Sequence, residues 1–502
     1  MKKIILVCVI LFKTTLYSQF TDIPDLNFEK KLISLGIDSG EPDGKASTAS
    51  IAAVTVLRID NSNISDLTGI QDFAELKELY CYFNSLTSAN FSKNDNLTIL
   101  QCYNNTLTSL DISKNHNLEY LDCSNSQLTS LDLSSSSGLK TLICLSSQLS
   151  TLDLSKNHLL EKLYIHKNRL SELNVSNNTK LNDFSCYDNF MINLDLSNNI
   201  ELKRLDCSRN RLTSLDVSQS LLLDYLVFGS NGLASIDISK NRNLTYLSAS
   251  NNQLTVLDVS KNVLLKNISC SSNQISTMDI SNNTVLENFI CSSNLLKNLS
   301  LGSNTALINL IVSNNQLMSL DVSGQTALNR LECDNNQLSS LDVSHNTALE
   351  FFRCDNNKLL SLNLKNGNNA KLAFNFSSYP NFKENPDLSC IMIDDFSYAD
   401  TNWKRKKDDF ASYAENCNLG IKDSFQKTIT MYPNPTDGVL NIADTPLEKA
   451  TVYDVSGNII NSFLFQDNLK NNSLDLSNLS KGVYFVLLES LEKTYSQKVI
   501  LE

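Results

Sequence analysis

Thirteen cysteines, four histidines and a ladder of aspartates are the residues of this 502-residue chain whose types could do chemistry. Thiols offer nucleophiles, disulfides or zinc ligands, histidine offers a general base, and evenly spaced carboxylates suggest calcium. Spacing decides among these uses. Cys81, Cys102, Cys123, Cys144, Cys186, Cys207, Cys270, Cys291, Cys333 and Cys354 all lie whole multiples of 21 residues apart. No CxxC pair or Cys/His cluster accompanies them, so a tetrahedral metal site is not expected. Asp111, Asp132, Asp153, Asp195, Asp216, Asp237, Asp258, Asp279, Asp321 and Asp342 keep the same step, with Asn174, Ser300 and Asn363 filling the gaps. Calcium-binding β-helices need several carboxylates and carbonyls per turn, with glycine to bend the chain. One Asp per unit followed two residues on by Ser suits local turn bonding instead. His116, His158 and His345 fall just after these aspartates. No GxSxG, HExxH or phosphate loop appears, and neither an enzyme nor a cofactor is expected.

These residues belong to a repeating unit, LxCxxNxLxxLDVSxNxxLxx, seen as Leu100, Cys102, Asn105, Leu107, Leu110, Asp111, Ile112, Ser113, Asn115 and Leu118. Fourteen units run from Leu79 to Leu372, and a 22-residue unit opens at Leu57. Each carries six apolar positions that it cannot bury alone. Stacked at roughly 4.8 Å, the units bury them in one continuous core under an inner sheet about 70 Å long. LDV also alternates, so a second short extended segment is expected on the opposite side. The cysteines take the third position, which points inward, two residues after the first Leu. Ile165, Phe228, Ala249 and Val312 fill the same slot, which therefore needs bulk rather than sulfur. In-register Cβ atoms roughly 4.8 Å apart exceed the ~3.5 to 4.5 Å a disulfide needs. A column of free, buried thiols follows.

LxCxxNxL matches the leucine-rich-repeat pattern, in which LxL is a strand and Asn turns the chain away from it. The chain resembles a leucine-rich-repeat protein over roughly three fifths of its length. The resemblance implies a right-handed solenoid with a parallel inner β-sheet and 21-residue units, whose even strand positions face the concave side. There the fourth position begins Tyr82, Tyr103, Ser124, Leu145, His166, Tyr187 and ends in Asp334 and Asp355, while the second adds Tyr80 and Tyr164. Position zero adds Tyr120, Tyr225, Tyr246 and Phe351. Exposed tyrosines give large contact area with a polar tip. The candidate ligand-binding patch is therefore Tyr80, Tyr82, Phe83, Tyr103, Tyr164, His166 and Tyr187. Cross-strand packing of aromatics is the competing explanation.

Residues 1–18 read MKKIILVCVILFKTTLYS, a basic start, a short apolar run and a polar close, as in a secretory signal peptide. No stretch is long enough for a transmembrane segment. Residues 19–56 form an N-terminal cap, with a helix expected over Asp25 to Leu35, and 57–372 the solenoid. Residues 373–420 form a C-terminal cap in which Cys390 and Cys417 flank the open end and suit a disulfide. A linker, 421–428, leads to 429–502, where short alternating strands are punctuated by PNPTDG, SG and KG turns. That reads as a small all-β sandwich.

Tyr432, Pro433, Asn434, Pro435, Thr436 and Gly438, then Tyr453, Asp454, Ser456 and Gly457, then Gly482, Val483 and Tyr484, and the end Lys498 to Glu502, resemble the type A C-terminal sorting domain of the type IX secretion system. That route belongs to the Bacteroidetes group. The resemblance implies the type IX machinery as a partner and two-step export through the periplasm to the cell surface or medium.

A net charge of -12, with 41% hydrophobic and 19% charged residues, leaves ample core and argues against nucleic acid and against anionic membranes. Together these features lead us to expect a non-catalytic surface or secreted protein that binds a protein or polysaccharide on the concave face. A structural adaptor or scaffold linking surface components is the alternative.

Overall fold

The computed structural model describes residues 19–372, 381–417, 431–442, 447–455, 457–465, 472–489 and 494–502. The signal segment 1–18, the linker 421–428, Ile429 and Ser456 lie outside the described residues. The chain forms two compact units, Met1–Cys417 and Asn418–Glu502.

In the first unit, fifteen three-residue strands join in one parallel sheet, in chain order from Val56–Arg58 to Phe351–Arg353. Register follows the repeat: Leu163 lies between Leu142 and Phe184, each 21 residues away. The central residue of each strand is buried and its neighbours, Glu332 excepted, are partly or fully exposed, as in Lys162–Tyr164, because side chains alternate across a strand. Four residues after the buried Leu the chain turns in the left-handed region, from Asn104 (φ 52°) to Asn356 (φ 54°). Asn, Asp and Ser dominate that position because short polar side chains tolerate the conformation.

Two asparagine ladders then hold the coils together. Asn105 Nδ2 donates to the carbonyls of Cys81 and Cys102, while its Oδ1 accepts the Leu86 N–H. Eleven of its counterparts, from Asn168 to Asn385, accept an N–H of the preceding unit in the same way. Further along each unit, Asn115 Nδ2 donates to the carbonyls of Phe91 and Asn94. The aspartate ladder acts locally: Asp111 Oδ1 accepts the Ser113 N–H at 3.0 Å, and Asp153 does the same for Ser155 at 2.8 Å.

The second extended segment pairs as a sheet only toward the two ends. Ser88–Asn90 joins Ser109–Asp111, and Ser340–Asp342 joins Ser361–Asn363, Cys390–Met392 and Ser412–Ala414. Between them no such ladder forms, and single backbone bonds join adjacent units just before the segment, such as Gln127 N–H to Leu107 O and Arg169 N–H to Leu149 O. The segment keeps its alternation there without being a strand, with Leu131 and Leu133 buried and Asp132 exposed.

The ladder also continues beyond Leu372. Cys354 N–H donates to Asn381 O, Asn356 N–H to Lys383 O, and Leu359 N–H to Asn385 Oδ1. Phe382 N–H reaches Lys406 O, one coil further on. Trp403, at the end of the helix Phe396–Asn402, buries against Phe382, Tyr398 and Tyr413 and closes the core. Cys390 and Cys417 are joined by a disulfide.

At the other end the strand Phe20–Asp22 pairs with Lys45–Ser47, and the helix Leu26–Ser34 starts at Asp25, whose carboxylate accepts the N–H groups of Asn27 and Phe28. Phe28 and Leu32 cover the first coil. Gly69 (φ +101°) sits so close beneath this cap that a Cβ would meet Ile23 Cδ1 at 2.3 Å.

The second unit is a β-sandwich. A three-stranded antiparallel sheet (Met431–Tyr432, Val439–Ile442, Asn472–Asp475) faces a four-stranded one (Ile459–Leu464, Lys449–Tyr453, Gly482–Glu489, Thr494–Leu501). Leu440, Leu474, Val452, Val486 and Val499 share one core. Asn434 ties the turn motif to the last strand: its Nδ2 donates to Lys498 O and its Oδ1 accepts the Ile500 N–H. Thr436 N–H bonds Ile500 O, and Glu502 N–H returns to Thr436 O. A Cβ on Gly438 would lie 2.9 Å from Ser477 Cα, which explains glycine there.

Candidate binding face

Counting from the buried Leu of each strand, positions zero, two and four project from the open side of the long sheet, and position three points into the core. All ten third-position cysteines are fully buried and free. Burial pushes the Cys81 thiol up to about 12 and raises those of Cys102, Cys186 and Cys207 as well. A thiol held protonated is neither nucleophile nor metal ligand. Among the described residues no group of three or more His, Cys, Asp or Glu side chains is placed to hold a metal ion.

On the open side, in-register strands bring equal positions side by side, and aromatic neighbours stack. The rings of Tyr82 and Tyr103 lie 4.5 Å apart and nearly parallel, and Phe83 meets both edge-on at 5.9 and 5.6 Å. His166 stacks on Tyr187 at 4.1 Å, and its Nδ1 lies 3.3 Å from Ser185 Oγ. Burial and then the Lys167 charge hold the imidazole below its usual pKa, against the opposing pull of Asp206 and Asp188. Tyr164 donates to Asp183 Oδ2 at 2.8 Å, and burial followed by that bond raises its phenol to about 12. Tyr80 donates to Glu78 and carries the Arg58 guanidinium 3.9 Å above its ring. The seven candidate residues are therefore not one patch. Tyr80, Tyr82, Phe83 and Tyr103 gather on the first coils, Tyr164, His166 and Tyr187 on later ones, and Ser124 and Leu145 fill the fourth-position row between them.

Further along, position zero carries a second arrangement that residue type alone did not single out. Tyr225 and Tyr246 stack at 4.7 Å, with Arg204 4.2 Å above Tyr225. Next to them Asn288 Nδ2 donates to Asn267 Oδ1 at 2.7 Å and Asn309 Nδ2 to Asn288 Oδ1, an amide ladder. Tyr246, these asparagines, Ser269, Ile290, Ile311 and Arg330 line a shallow depression. Three asparagines at a step of 21 were the available signal. At the far end Arg353 bridges the nearly buried carboxylates of Asp334 (3.4 Å) and Asp355 (3.1 Å), Ser313 Oγ donates to Asp334, and Arg330 pairs with Glu332.

Residues 430–502 match the family described as the secretion system C-terminal sorting domain. Among solved structures the chain is similar to the functional domain of InlJ from Listeria monocytogenes, described as including a cysteine ladder. The two share 27% identity at a TM-score of 0.69, over 97% of this chain and 99% of that one. The chain is a leucine-rich-repeat protein with a type IX secretion C-terminal sorting domain. An internalin, InlF, from the same organism (22% identity, TM-score 0.55, 67% of this chain and 97% of that one) shares the fold. So does a leucine-rich-repeat protein of Leptospira interrogans (22%, 0.52, 62% and 92%). No curated protein matches the sequence.

The sorting domain assigns this leucine-rich-repeat protein to export, at the cell surface or in the medium, and involves the type IX machinery. Among the described residues no helix is long and apolar enough to cross a membrane. Its motif residues have structural work in the sandwich: Asn434 and Thr436 pin the final strand, and Gly438 permits close packing on Ser477.

Proposed function

We propose that this exported leucine-rich-repeat protein binds a protein or polysaccharide on the open face of its long sheet, in adhesion or capture, and performs no chemistry of its own. The observation that carries the reading is the contrast between inward and outward positions. Inward ones repeat with the 21-residue period, whereas outward ones form local clusters of rings, amides and charges that the coil does not need. Hydroxyls and amides on a shallow, partly apolar face suit a polymer that lies across several strands. The absence of chemistry rests on the buried thiols and on His166: among the described residues no carboxylate is hydrogen-bonded to its imidazole, so its contact with Ser185 lacks the third group that orients a base.

The test is cross-linking of the full chain on native cells, with mass spectrometry, beside a glycan array. Binding predicts a discrete ligand whose cross-links map to positions zero, two and four. Cross-links confined to the turns between coils, reaching other surface proteins with no soluble ligand, would replace this reading with a scaffold linking surface components. Hydrolysis of a model ester by the parent chain but not by His166→Ala would overturn the non-catalytic part.

A further inference from the structure

We propose that the ring cluster Tyr82, Phe83 and Tyr103 seats a lysine or arginine side chain of a partner protein. The inference deepens the binding reading above and rests on it.

The first observation is a backbone one. Every coil turns through the left-handed region at its fifth position, and the other coils fill it with Asn, Ser, Lys, Asp, Arg or Glu. Phe83 alone places an aromatic ring there, at φ 51°, and leaves it 52% exposed. A bulky residue in that region is strained, and strain of this kind gathers at functional sites. The turn itself does not need phenylalanine, since Asn104 makes the same turn one coil later at φ 52°.

The second observation is the arrangement of rings. Tyr82 and Tyr103 are within 7° of parallel, and Phe83 stands at 76° and 75° to them. The three rings pack against one another, so a cation would sit not among them but on an outward ring face, with the half-exposed Phe83 ring the most open.

The third observation is charge. Asn61 N–H bonds Tyr82 O, so Asp60 stands beside Tyr82 in the fourth-position row. Burial first, then Tyr82, Asp122 and Asp60, raise the Tyr103 phenol, which places both carboxylates within electrostatic reach of the cluster. Glu78 lies nearby on Tyr80, and the cation of this neighbourhood, Arg58, sits over the Tyr80 ring. The chain uses the same contact internally, with Arg204 over Tyr225 and Arg211 over Phe190 at 4.9 Å. Among the described residues no lysine or arginine of the chain covers Tyr82, Phe83 or Tyr103 in this way.

The test is an array of peptides containing Arg or Lys, each beside its neutral counterpart with citrulline or acetyl-lysine, probed with the full chain. Phe83→Asn, the Tyr82→Ser/Tyr103→Ser double variant and Asp60→Asn are compared with the parent. Each replacement is a residue type that other coils already carry at that position or its polar isostere, so folding should persist, and circular dichroism checks it. The expected result is cation-dependent binding that drops about tenfold in Phe83→Asn and in the double variant. The melting temperature of Phe83→Asn should stay within about 2 °C of the parent. Equal binding of charged and neutral peptides would overturn the proposal, as would unchanged binding in all three variants. Glycan-array binding lost in the same variants would also overturn it, in favour of carbohydrate. If peptide binding survives there but is lost in an Asn267→Ala/Asn288→Ala variant, the open face is a binding surface and only this seat is wrong. No binding to peptides or glycans by the parent would instead count against the binding reading itself.

Discussion

The inner and outer sides of the same strands obey different rules. Inward, Leu, Cys and Asn recur every 21 residues, and where one is replaced its substitute meets the same physical demand, as Ala249 and Val312 do by filling the thiol slot with apolar bulk. Outward, the residues change from coil to coil and interact only with near neighbours, as Tyr82 with Tyr103 or Asn288 with Asn267. The difference shows that the coil depends on the first set and tolerates almost anything in the second. Periodicity therefore marks structure here, and local departures from it mark candidate function.

The two asparagine ladders sharpen the point within the buried set. The ladder after the strand uses both ends of its amide, and at Ser126 and Ser147 it is replaced by two adjacent serines that bond each other at 2.9 Å. The second ladder uses only its donor. Ser136, Ser220 and Gln325 replace it singly, each donating to a carbonyl, and Oδ1 of Asn115, Asn157 and Asn199 is buried with no hydrogen-bond partner among the described residues. A position asked for one bond accepts more residue types than one asked for both.

The comparison would break if an inward change were harmless or an outward one ruinous. The largest effect is expected from Asn189→Ala, which strands Leu170 N–H and takes one of two amide donors from each of the carbonyls of Ile165 and Cys186, leaving them Asn168 and Asn210. It should lower stability by about 3 kcal/mol in urea denaturation. Cys186→Ala, which opens a small cavity, should cost about 1 to 2 kcal/mol. In the parent the ten buried thiols should resist a thiol reagent until denaturant is added. Tyr225→Ser with Tyr246→Ser removes one stacked pair and should cost under about 1 kcal/mol. A smaller effect is expected at His166. Its folded pKa lies below the usual 6.5, so the unfolded chain binds the proton more tightly. That contribution is fully present above 6.5 and is lost as pH falls through the lowered folded value, and His166→Gln should flatten the stability profile in that window. The smallest effect is none: with Asp carboxylates engaged by the Ser two residues on, the melting temperature should be the same in chelator and in millimolar calcium.

Much of this was legible in the chain itself. The inward direction of Cys102 and the turn role of Asp111 follow from spacing, because a period-two strand and a 21-residue step fix what points where. The last coils were not legible, because Asn385 follows Asn357 by 28 residues instead of 21 and the phase is lost, although its hydrogen bonds are the same. The division of the aromatic patch was legible in the fourth-position row, where Ser124 and Leu145 separate Tyr103 from His166; the bonding of Tyr164 to Asp183 and the stacking of His166 on Tyr187 were not, since both depend on side-chain torsions.

The sequence by itself determined the coil, its inward residues and its export tail, since each rests on local pattern: period, strand alternation and turn chemistry. Only the tertiary structure decided which outward side chains meet. Stacking brings residues 21 apart to within one strand spacing, but whether two rings lie parallel, two amides bond or an arginine covers a tyrosine depends on side-chain torsions and neighbouring charge. Those are properties of the assembled face, and they separate Phe83 from the polar residues that make the same turn elsewhere.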